Sequence, residues 1–172
     1  DLVTLVNVNP SDGEVGVFYD YEIPVSGGNP PYTVTKTKGA LPAGLALVQG
    51  VGLNRPRITG TPATLAKTAT FTFTVADQFG ASASNSVSLK ILKAVTITTK
   101  SIKAAKIGVP FTIFLTATGG KPNYTWSSEA PPTLPSGVSL DPVTGALSGT
   151  PAPGTAGTYN LRFKVTDGFG AT

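Results

Sequence analysis

Apolar and polar residues alternate along several stretches of the chain, and this pattern predicts β-strands. Between residues 15 and 25 every odd position is aliphatic or aromatic, while Asp20 and Glu22 lie between them. Residues 107–115 repeat the alternation around Thr112. Such alternation places one face of a strand in a core and the other in water. No segment shows helical periodicity, so the sequence predicts an all-β protein.

Each half of the chain also carries a later alternating stretch. The first is marked by Phe71, Phe73 and Val75 with threonines between them. The second runs over residues 159–166, where polar residues separate Tyr159, Leu161, Phe163 and Val165. These stretches predict a second core-facing strand in each half.

One ordered set of motifs occurs twice, at an offset of 89 to 93 residues. Four segments have counterparts: Gly27-Gly28 with Gly119-Gly120, Leu41–Leu45 with Leu134–Val138, Gly60–Pro62 with Gly149–Pro151, and Asp77–Gly80 with Asp167–Gly170. Solenoid repeats are shorter, whereas a period near 90 residues is typical of an immunoglobulin-like sandwich. The sequence therefore predicts two tandem sandwiches, residues 1–92 and 93–172.

The paired glycines open a corner that the chain makes twice, as GGNPPYTVT from Gly27 and as GGKPNYTWS from Gly119. Glycine permits positive φ, and proline removes a hydrogen-bond donor from a strand. The preceding strand must therefore end and turn. We expect the following tyrosine to pack its ring under the turn.

The order GG-x-P-x-Y-T, L-P-x-G-L, G-T-P and D-x-x-G resembles the putative-immunoglobulin (bacterial Ig-like, dystroglycan-type, cadherin-like) repeats of cell-surface proteins. The resemblance covers nearly the whole chain. It implies tandem extracellular modules of adhesins and surface fibres, or accessory domains of secreted enzymes. It also implies an extracellular or cell-surface location. Fold analogy does not choose between these roles.

Composition argues against an enzyme. The chain has no cysteine, methionine or histidine, so neither a Ser-His-acid triad nor a thiol nucleophile can form. Asp20 and Glu22 share a strand face, which is compatible with a glycosidase pair or with a solvated strand. Gly50-Val51-Gly52 is too short for a phosphate loop and no helix follows it. We expect no catalytic residues and no cofactor.

Calcium is a weaker expectation, which the cadherin-like resemblance raises. Hard cations take six to eight oxygen ligands, several of them charged. The junction between the repeats, residues 89–106, contains no acidic residue. Asp77 and Asp167 remain weak candidates for a calcium site, and the alternative is that they cap the turn that follows the aromatic strand.

Lysines are concentrated in the middle of the chain, where residues 78–128 include no acid. The lysines of the junction are Lys90, Lys93, Lys100, Lys103 and Lys106. Such a basic segment could attract an anionic polysaccharide. The alternative is a solvated linker whose charges discourage sheet-to-sheet pairing. Nucleic acid is not expected, because no interleaved aromatics would stack bases, and no apolar run is long enough to span a membrane.

Trp126 is the only tryptophan and lies two residues after Tyr124. Both side chains therefore face the same side of a strand. We expect a core tryptophan beneath the Gly119-Gly120 corner, and the alternative is a sugar-binding surface.

The second copy lacks the last strand of the first. In the first copy Val87, Leu89 and Ile91 alternate as a final strand, whereas the second copy ends at Thr172. The chain also begins at Asp1 without an initiator methionine or a signal peptide. Two explanations stay open: the chain is part of a longer array, or a neighbouring subunit supplies the strand.

These observations predict a non-catalytic extracellular module that acts as a spacer or building block of a bacterial adhesin or surface filament. Its expected partners are other domains of the same array or filament. The alternative is a carbohydrate-binding or accessory module of a secreted enzyme.

Overall fold

The computed structural model describes residues 1–51, 55–64, 68–130 and 133–172. Within these ranges the chain forms seventeen β-strands and no helix. It divides into two compact units, Asp1–Lys93 and Ala94–Thr172. Each unit has its own cluster of buried apolar residues.

Unit 1 consists of ten strands arranged as a sandwich. Strands β5, β8 and β9 form one antiparallel sheet, and β3, β7 and β6 form the other. Two short pairs complete the unit: β1 with β4, antiparallel, and β2 with β10, parallel. The strands are β1 (Thr4–Leu5), β2 (Gly13–Glu14), β3 (Tyr19–Glu22), β4 (Val25–Ser26), β5 (Thr33–Gly39), β6 (Leu45–Val48), β7 (Arg57–Gly60), β8 (Ala69–Ala76), β9 (Ser82–Leu89) and β10 (Ile91–Leu92).

The core of unit 1 follows the alternation in the sequence. Phe71, Phe73 and Val75 of β8 are buried, whereas the threonines between them are more exposed. On the polar face, the hydroxyl groups of Thr74 and Ser84 lie 2.7 Å apart across β8 and β9. One face of the strand is thus stabilised by burial and the other by cross-strand hydrogen bonds.

The stretch 15–25 is not one strand, as the uninterrupted alternation suggests, but β3 and β4 separated by Pro24. Proline has no N–H to donate to a neighbouring strand. β3 pairs with β7, and after Pro24 the chain pairs with β1 instead. The inward positions Tyr19, Ile23 and Val25 are nevertheless buried.

Unit 2 repeats this arrangement with seven strands. β12, β16 and β15 correspond to the sheet of β3, β7 and β6, and β11 pairs with β13 as β1 pairs with β4. β14 pairs with β17 as β5 pairs with β8. The strands are β11 (Thr96–Ile97), β12 (Phe111–Phe114), β13 (Ala117–Thr118), β14 (Thr125–Glu129), β15 (Val138–Leu140), β16 (Ala146–Gly149) and β17 (Arg162–Thr166).

Within the described ranges, unit 2 has no counterpart of β9 or β10. Among the described residues β17 therefore pairs with β14 alone. The predicted strand 159–166 is also too long, because β17 begins at Arg162 and Tyr159 is exposed. A strand that is hydrogen-bonded on both edges is held in the extended conformation over more residues. Among the described residues β17 is paired on one edge only, so its first predicted residues are not part of the strand.

The core of unit 2 is built around Leu115, Trp126 and Val165. Ile107 and Val109 are expected to face inward, but they are 40% and 45% exposed. Their counterparts Val15 and Val17 in unit 1 are half-buried. The difference lies where β10 pairs with β2 in unit 1, a pairing that has no counterpart among the described residues of unit 2.

Candidate functional site

The carboxylate of Asp77 joins the two motifs at the corner of unit 1. Asp77 follows β8 directly, and its Oδ1 accepts hydrogen bonds from the backbone N–H groups of Phe79 and Ala81, both at 2.9 Å. Its Oδ2 accepts a hydrogen bond from the N–H of Asn29 at 3.0 Å. The side chain therefore closes its own turn and also holds the glycine-proline corner.

Asp167 makes the same contacts in unit 2. Its Oδ1 accepts hydrogen bonds from the N–H groups of Phe169 and Ala171 at 2.9 Å, and its Oδ2 accepts one from Lys121 at 2.6 Å. Both carboxylates are buried, at 6% and 5% exposure for Asp77 and Asp167. We call the two arrangements the Asp77 latch and the Asp167 latch.

The second glycine of the pair in unit 2 is required by the Asp167 latch. Gly120 has a φ of +60°, and a Cβ there would overlap the carboxyl group of Asp167. A side chain at this position would thus be strained and would also displace the latch. The following tyrosine completes the corner, because the hydroxyl groups of Tyr32 and Tyr124 donate to the carbonyls of Gly27 and Gly119. The expected packing of the tyrosine under the turn is confirmed.

The environment of Asp77 favours its charged form. Burial raises the pKa of the carboxyl group, but the hydrogen bonds from Asn29, Phe79 and Ala81 together outweigh burial and lower the pKa below its ordinary value. Backbone donors stabilise a carboxylate more than a neutral acid. Asp77 is therefore held as an anion by the backbone of its own corner.

Asp77 and Asp167, the weak calcium candidates, are both bound by backbone N–H groups. Each of the two carboxylates already accepts hydrogen bonds on both oxygens. In the described part of the chain no three acidic side chains lie close enough together to form a metal-binding group. The contacts are those of the alternative role, which is to cap the turn after the aromatic strand.

The acidic pair on β3 lies opposite two arginines. Arg57 donates to Asp20 through Nε and Nη2, both at 2.6 Å, and to Glu22 through Nη1 at 3.1 Å. Arg55 contacts Glu22 at 3.3 Å. The hydrogen bond from Arg57 lowers the pKa of Asp20, and the same bond raises the pKa of Arg57. The site is an exposed ion-pair network across β3 and β7.

The junction lysines divide between the two units. Lys90 and Lys93 belong to unit 1, whereas Lys100, Lys103 and Lys106 belong to unit 2. All five side chains are exposed. Part of the discounted phosphate-loop segment, at Gly52, lies outside the described residues.

Trp126 is buried, with 5% exposure, as expected for a core residue. The indole packs against Gly145, and its place beneath the Gly119-Gly120 corner stays a prediction. A Cβ built on Gly145 would lie 2.8 Å from the indole Nε1. Tyr124 contacts Gly119 at this corner, and the carboxyl group of Asp167 lies beside Gly120. A buried indole is not available to stack on a sugar.

An open groove lies along one side of unit 2. It has a volume of about 1050 Å³, and its apolar lining includes Phe111, Leu115, Leu147, Leu161 and Phe163. Residues 99–107, with three lysines, form part of its lining as well. We call this feature the unit 2 groove.

The sequence predicted that Asp77 and Asp167 cap the following turn, but it predicted neither their contact with the glycine-proline corner nor the arginine network. The latches bring together residues that lie 48 and 46 positions apart, and no local pattern reports this. A signal for the network was present: Asp20 and Glu22 alternate with apolar residues, as Arg55 and Arg57 do. If β3 and β7 had been paired in the prediction, the acidic side chains of β3 would have been placed next to the arginines.

The family model described as “Putative Ig domain” matches residues 2–92 and again residues 94–172. No curated protein matches the chain. The described residues also contain no helix with the length and apolar character that crossing a bilayer requires.

Several solved structures are similar in fold. The first eight immunoglobulin domains of Down Syndrome Cell Adhesion Molecule match with a TM-score of 0.54 and 17% identity, covering 96% of this chain and 27% of that one. Titin fragment I67–I69 matches with a TM-score of 0.52 and 12% identity, covering 100% and 63%. The endo-fucoidan hydrolase MfFcnA4, of glycoside hydrolase family 107, matches with a TM-score of 0.43 and 19% identity, covering 99% and 27%. The chain therefore spans less than two thirds of each of these proteins.

Proposed function

Because the chain belongs to the family described as “Putative Ig domain”, we propose that it is a non-catalytic structural and adhesive module outside the cell. In this role it is a spacer or building block of a bacterial adhesin or surface filament. Its partners are other protein domains of the same array or filament.

The observation that carries this proposal is the direct succession of two sandwiches with the same latch. Unit 1 extends to Lys93 and unit 2 begins at Ala94. Both Asp77 and Asp167 hold backbone corners with the same three kinds of hydrogen bond. A module that is repeated in this way spaces other domains along a polypeptide, and its strand edges and loops are available to bind partners.

The chemistry of the acidic residues supports a structural role. The buried aspartates bind backbone N–H groups, and the exposed pair Asp20 and Glu22 binds Arg57. A glycosidase pair needs one carboxyl group whose pKa is raised so that it can donate a proton. The pKa of Asp20 is lowered by its hydrogen bond with Arg57, so Asp20 does not supply such an acid.

Labelling of cells that make the protein tests the proposal. Antibodies raised against the 172-residue chain should bind intact cells as strongly as permeabilised cells. In electron micrographs the label should lie on fibres or on the cell envelope. Labelling that requires permeabilisation contradicts the proposal.

Binding to an anionic polysaccharide is the second candidate, and the exposure of the five junction lysines favours it. Long-range attraction of this kind weakens with salt. The doubly substituted chain Lys100→Glu, Lys103→Glu should lose binding to a sulfated polysaccharide. The chain Lys36→Glu, Lys38→Glu has the same net charge and should keep it. Equal loss in both variants would show that only net charge matters.

A further inference from the structure

Asn123 begins the one acceptor motif for N-linked glycosylation in the sequence. The motif is an asparagine followed two positions later by serine or threonine, with any residue except proline between them. Asn123-Tyr124-Thr125 meets this rule. Asn9 also has a serine at the right spacing, but Pro10 lies between them. None of the other asparagines is followed by a hydroxyl residue two positions later.

The structure places both ends of this motif at the surface. Asn123 lies in the glycine-proline corner of unit 2, and Thr125 is the first residue of β14. Both side chains are exposed, whereas Tyr124 between them is half-buried. No group of the described residues forms a hydrogen bond with the side chain of Asn123. Its amide nitrogen is therefore accessible to an enzyme from solvent.

The corner is fixed on both sides of Asn123. Before it, the carbonyl of Lys121 accepts a hydrogen bond from the N–H of Gly168 at 2.9 Å. After it, the hydroxyl group of Tyr124 donates to the carbonyl of Gly119. The asparagine is thus held at one place on the surface, and a group attached to its side chain would extend into solvent without displacing the core.

The backbone conformation of Asn123 offers a different explanation for the asparagine. Its φ is +81°, in a region where residues other than glycine are uncommon and asparagine is among the best tolerated. Glycine would adopt this φ with less strain, as Gly119 and Gly120 do in the same corner. The conformation therefore permits asparagine at this position but does not require it.

Unit 1 has the same corner without the acceptor. Tyr32 and Thr33 occupy the positions of the tyrosine and threonine of the motif, and the hydroxyl group of Tyr32 donates to the carbonyl of Gly27. Pro31 occupies the position of Asn123 and has no side-chain amide. The acceptor asparagine is therefore particular to unit 2 and is not part of the pattern that the two copies share.

We propose that Asn123 is a site of N-linked glycosylation. Its nitrogen Nδ2 forms a bond to C1 of a sugar, and the bond from C1 to a phosphate oxygen of the sugar donor breaks. Nδ2 loses one proton, and the phosphate-bearing carrier leaves with the electron pair of the broken bond. No atom is oxidised or reduced. The hydroxyl group of Thr125 is the group by which the transferase recognises the motif.

Two kinds of donor have this chemistry, and both carry the sugar through phosphate. A lipid-linked oligosaccharide is transferred at the membrane, so this route rests on the proposed location outside the cell. A nucleotide-linked sugar adds a single hexose and does not depend on that location. The mass that is added at Asn123 distinguishes the two, because the first leaves an oligosaccharide and the second leaves one hexose.

Mass spectrometry of the protein purified from its source tests the proposal. Chymotrypsin cleavage after Leu115 and Trp126 releases a peptide of residues 116–126, in which Asn123 is the only asparagine. We expect most copies of this peptide to carry a sugar. Fragmentation that leaves glycosidic bonds intact should assign the sugar to Asn123. An unmodified peptide, or a sugar that lies on one of the threonines instead, overturns the proposal.

Surface labelling of cells and the state of Asn123 report different properties of the protein. A bare Asn123 in a protein that labels on intact cells overturns the modification alone. A single hexose on Asn123 in a protein that labels only after permeabilisation overturns the proposed location alone.

A pair of threonine variants made in the same source tests recognition of the motif. Thr125→Ala removes the hydroxyl group and leaves Asn123 in place, so the share of modified peptide should fall at least tenfold. Thr33→Ala removes the equivalent hydroxyl group of unit 1 and should leave that share unchanged. Both threonines are exposed first residues of a strand, so neither change removes a core contact. Modification of Asn123 that survives Thr125→Ala contradicts the proposal.

Discussion

The side chain of Asp77 accepts a hydrogen bond from the backbone of Asn29, a residue 48 positions earlier, at 3.0 Å. Asp167 binds Lys121 in the same way across 46 positions. Each contact joins the turn after the aromatic strand to the glycine-proline corner. The D-x-x-G turn and the glycine-proline corner, which both occur twice in the sequence, are therefore joined by one hydrogen bond in each unit. The first two predictions test the aspartates that accept these hydrogen bonds.

Asp167→Asn should destabilise unit 2. The amide keeps the shape of the carboxylate but presents an NH2 group to one of the backbone donors. A buried donor left without an acceptor costs about 1–3 kcal/mol, so the free energy of unfolding should fall by about that amount. Glu129→Gln removes an exposed charge from the same unit and is the matched control. Thermal unfolding of both variants measures the difference, and equal midpoints would contradict the latch.

Acid should destabilise unit 1 through Asp77. Its pKa is lowered in the folded protein, so the folded state binds the proton less readily than the unfolded state does. The stabilisation is complete above the ordinary pKa of an aspartate, about 3.9. It is lost as the pH falls through the lower pKa of the folded state. Urea unfolding between pH 7 and pH 2 measures this loss, and Asp77→Asn should make the acid side of the profile flatter.

Two glycines separate backbone strain from packing against Trp126. Gly145 and Gly154 have φ values of +71° and +84°, but only Gly145 has neighbours where a Cβ would lie. An alanine in the left-handed region costs about 1–2 kcal/mol by itself. Gly154→Ala should show that cost alone, whereas Gly145→Ala should cost more because the methyl group displaces the indole. Similar unfolding midpoints for the two variants would place Trp126 elsewhere.

Part of this structure could be predicted from the sequence. Alternation identified β8, because a strand with one buried face must place Phe71, Phe73 and Val75 on the same side. Comparison of the two copies identified the missing strand, because Val87, Leu89 and Ile91 have no counterpart in the second. The first signal is local in the sequence, and the second follows from comparing the two repeats.

The remainder depends on tertiary structure. Trp126 packs against Gly145 because β14 lies over the turn before β16, which its spacing from Tyr124 does not report. Ile107 and Val109 are exposed in a unit whose described residues form no pair equivalent to β2 with β10, and the alternation of residues does not report this. Asp77 accepts hydrogen bonds from backbone N–H groups, which every residue except proline has. The identity of a residue such as Phe79 therefore does not reveal the contact.

Calcium should leave the stability of both units unchanged. Asp77 and Asp167 already accept backbone hydrogen bonds on both oxygens, and in the described part of the chain no three acidic side chains lie together to supply the charged oxygens that calcium takes. Melting curves in millimolar calcium and in a chelator should coincide. A higher midpoint with calcium that disappears in Asp77→Asn would show that the weak candidate site is real.

Backbone amides of β17 should exchange faster than those of β8. β8 lies between β5 and β9, so amides on both of its sides face a neighbouring strand. β17 has β14 on one side, and amides that face the groove have no strand beside them among the described residues. Exchange resolved by residue over 69–76 and 162–166 measures the contrast, and equal protection of the two strands in a monomeric chain would contradict it.

An appended strand should remove this contrast. The sequence of Ser82–Lys93 is joined after Thr172 through a short flexible linker. In the control, serine also replaces the three alternating apolar residues Val87, Leu89 and Ile91. The first extension should slow exchange in β17 and raise the unfolding midpoint of unit 2, because it supplies hydrogen bonds and covers the apolar lining. The control has the same length and charge but no apolar face, so it should leave both unchanged. If both extensions protect β17 equally, main-chain pairing alone is sufficient and the apolar groove does not select the strand.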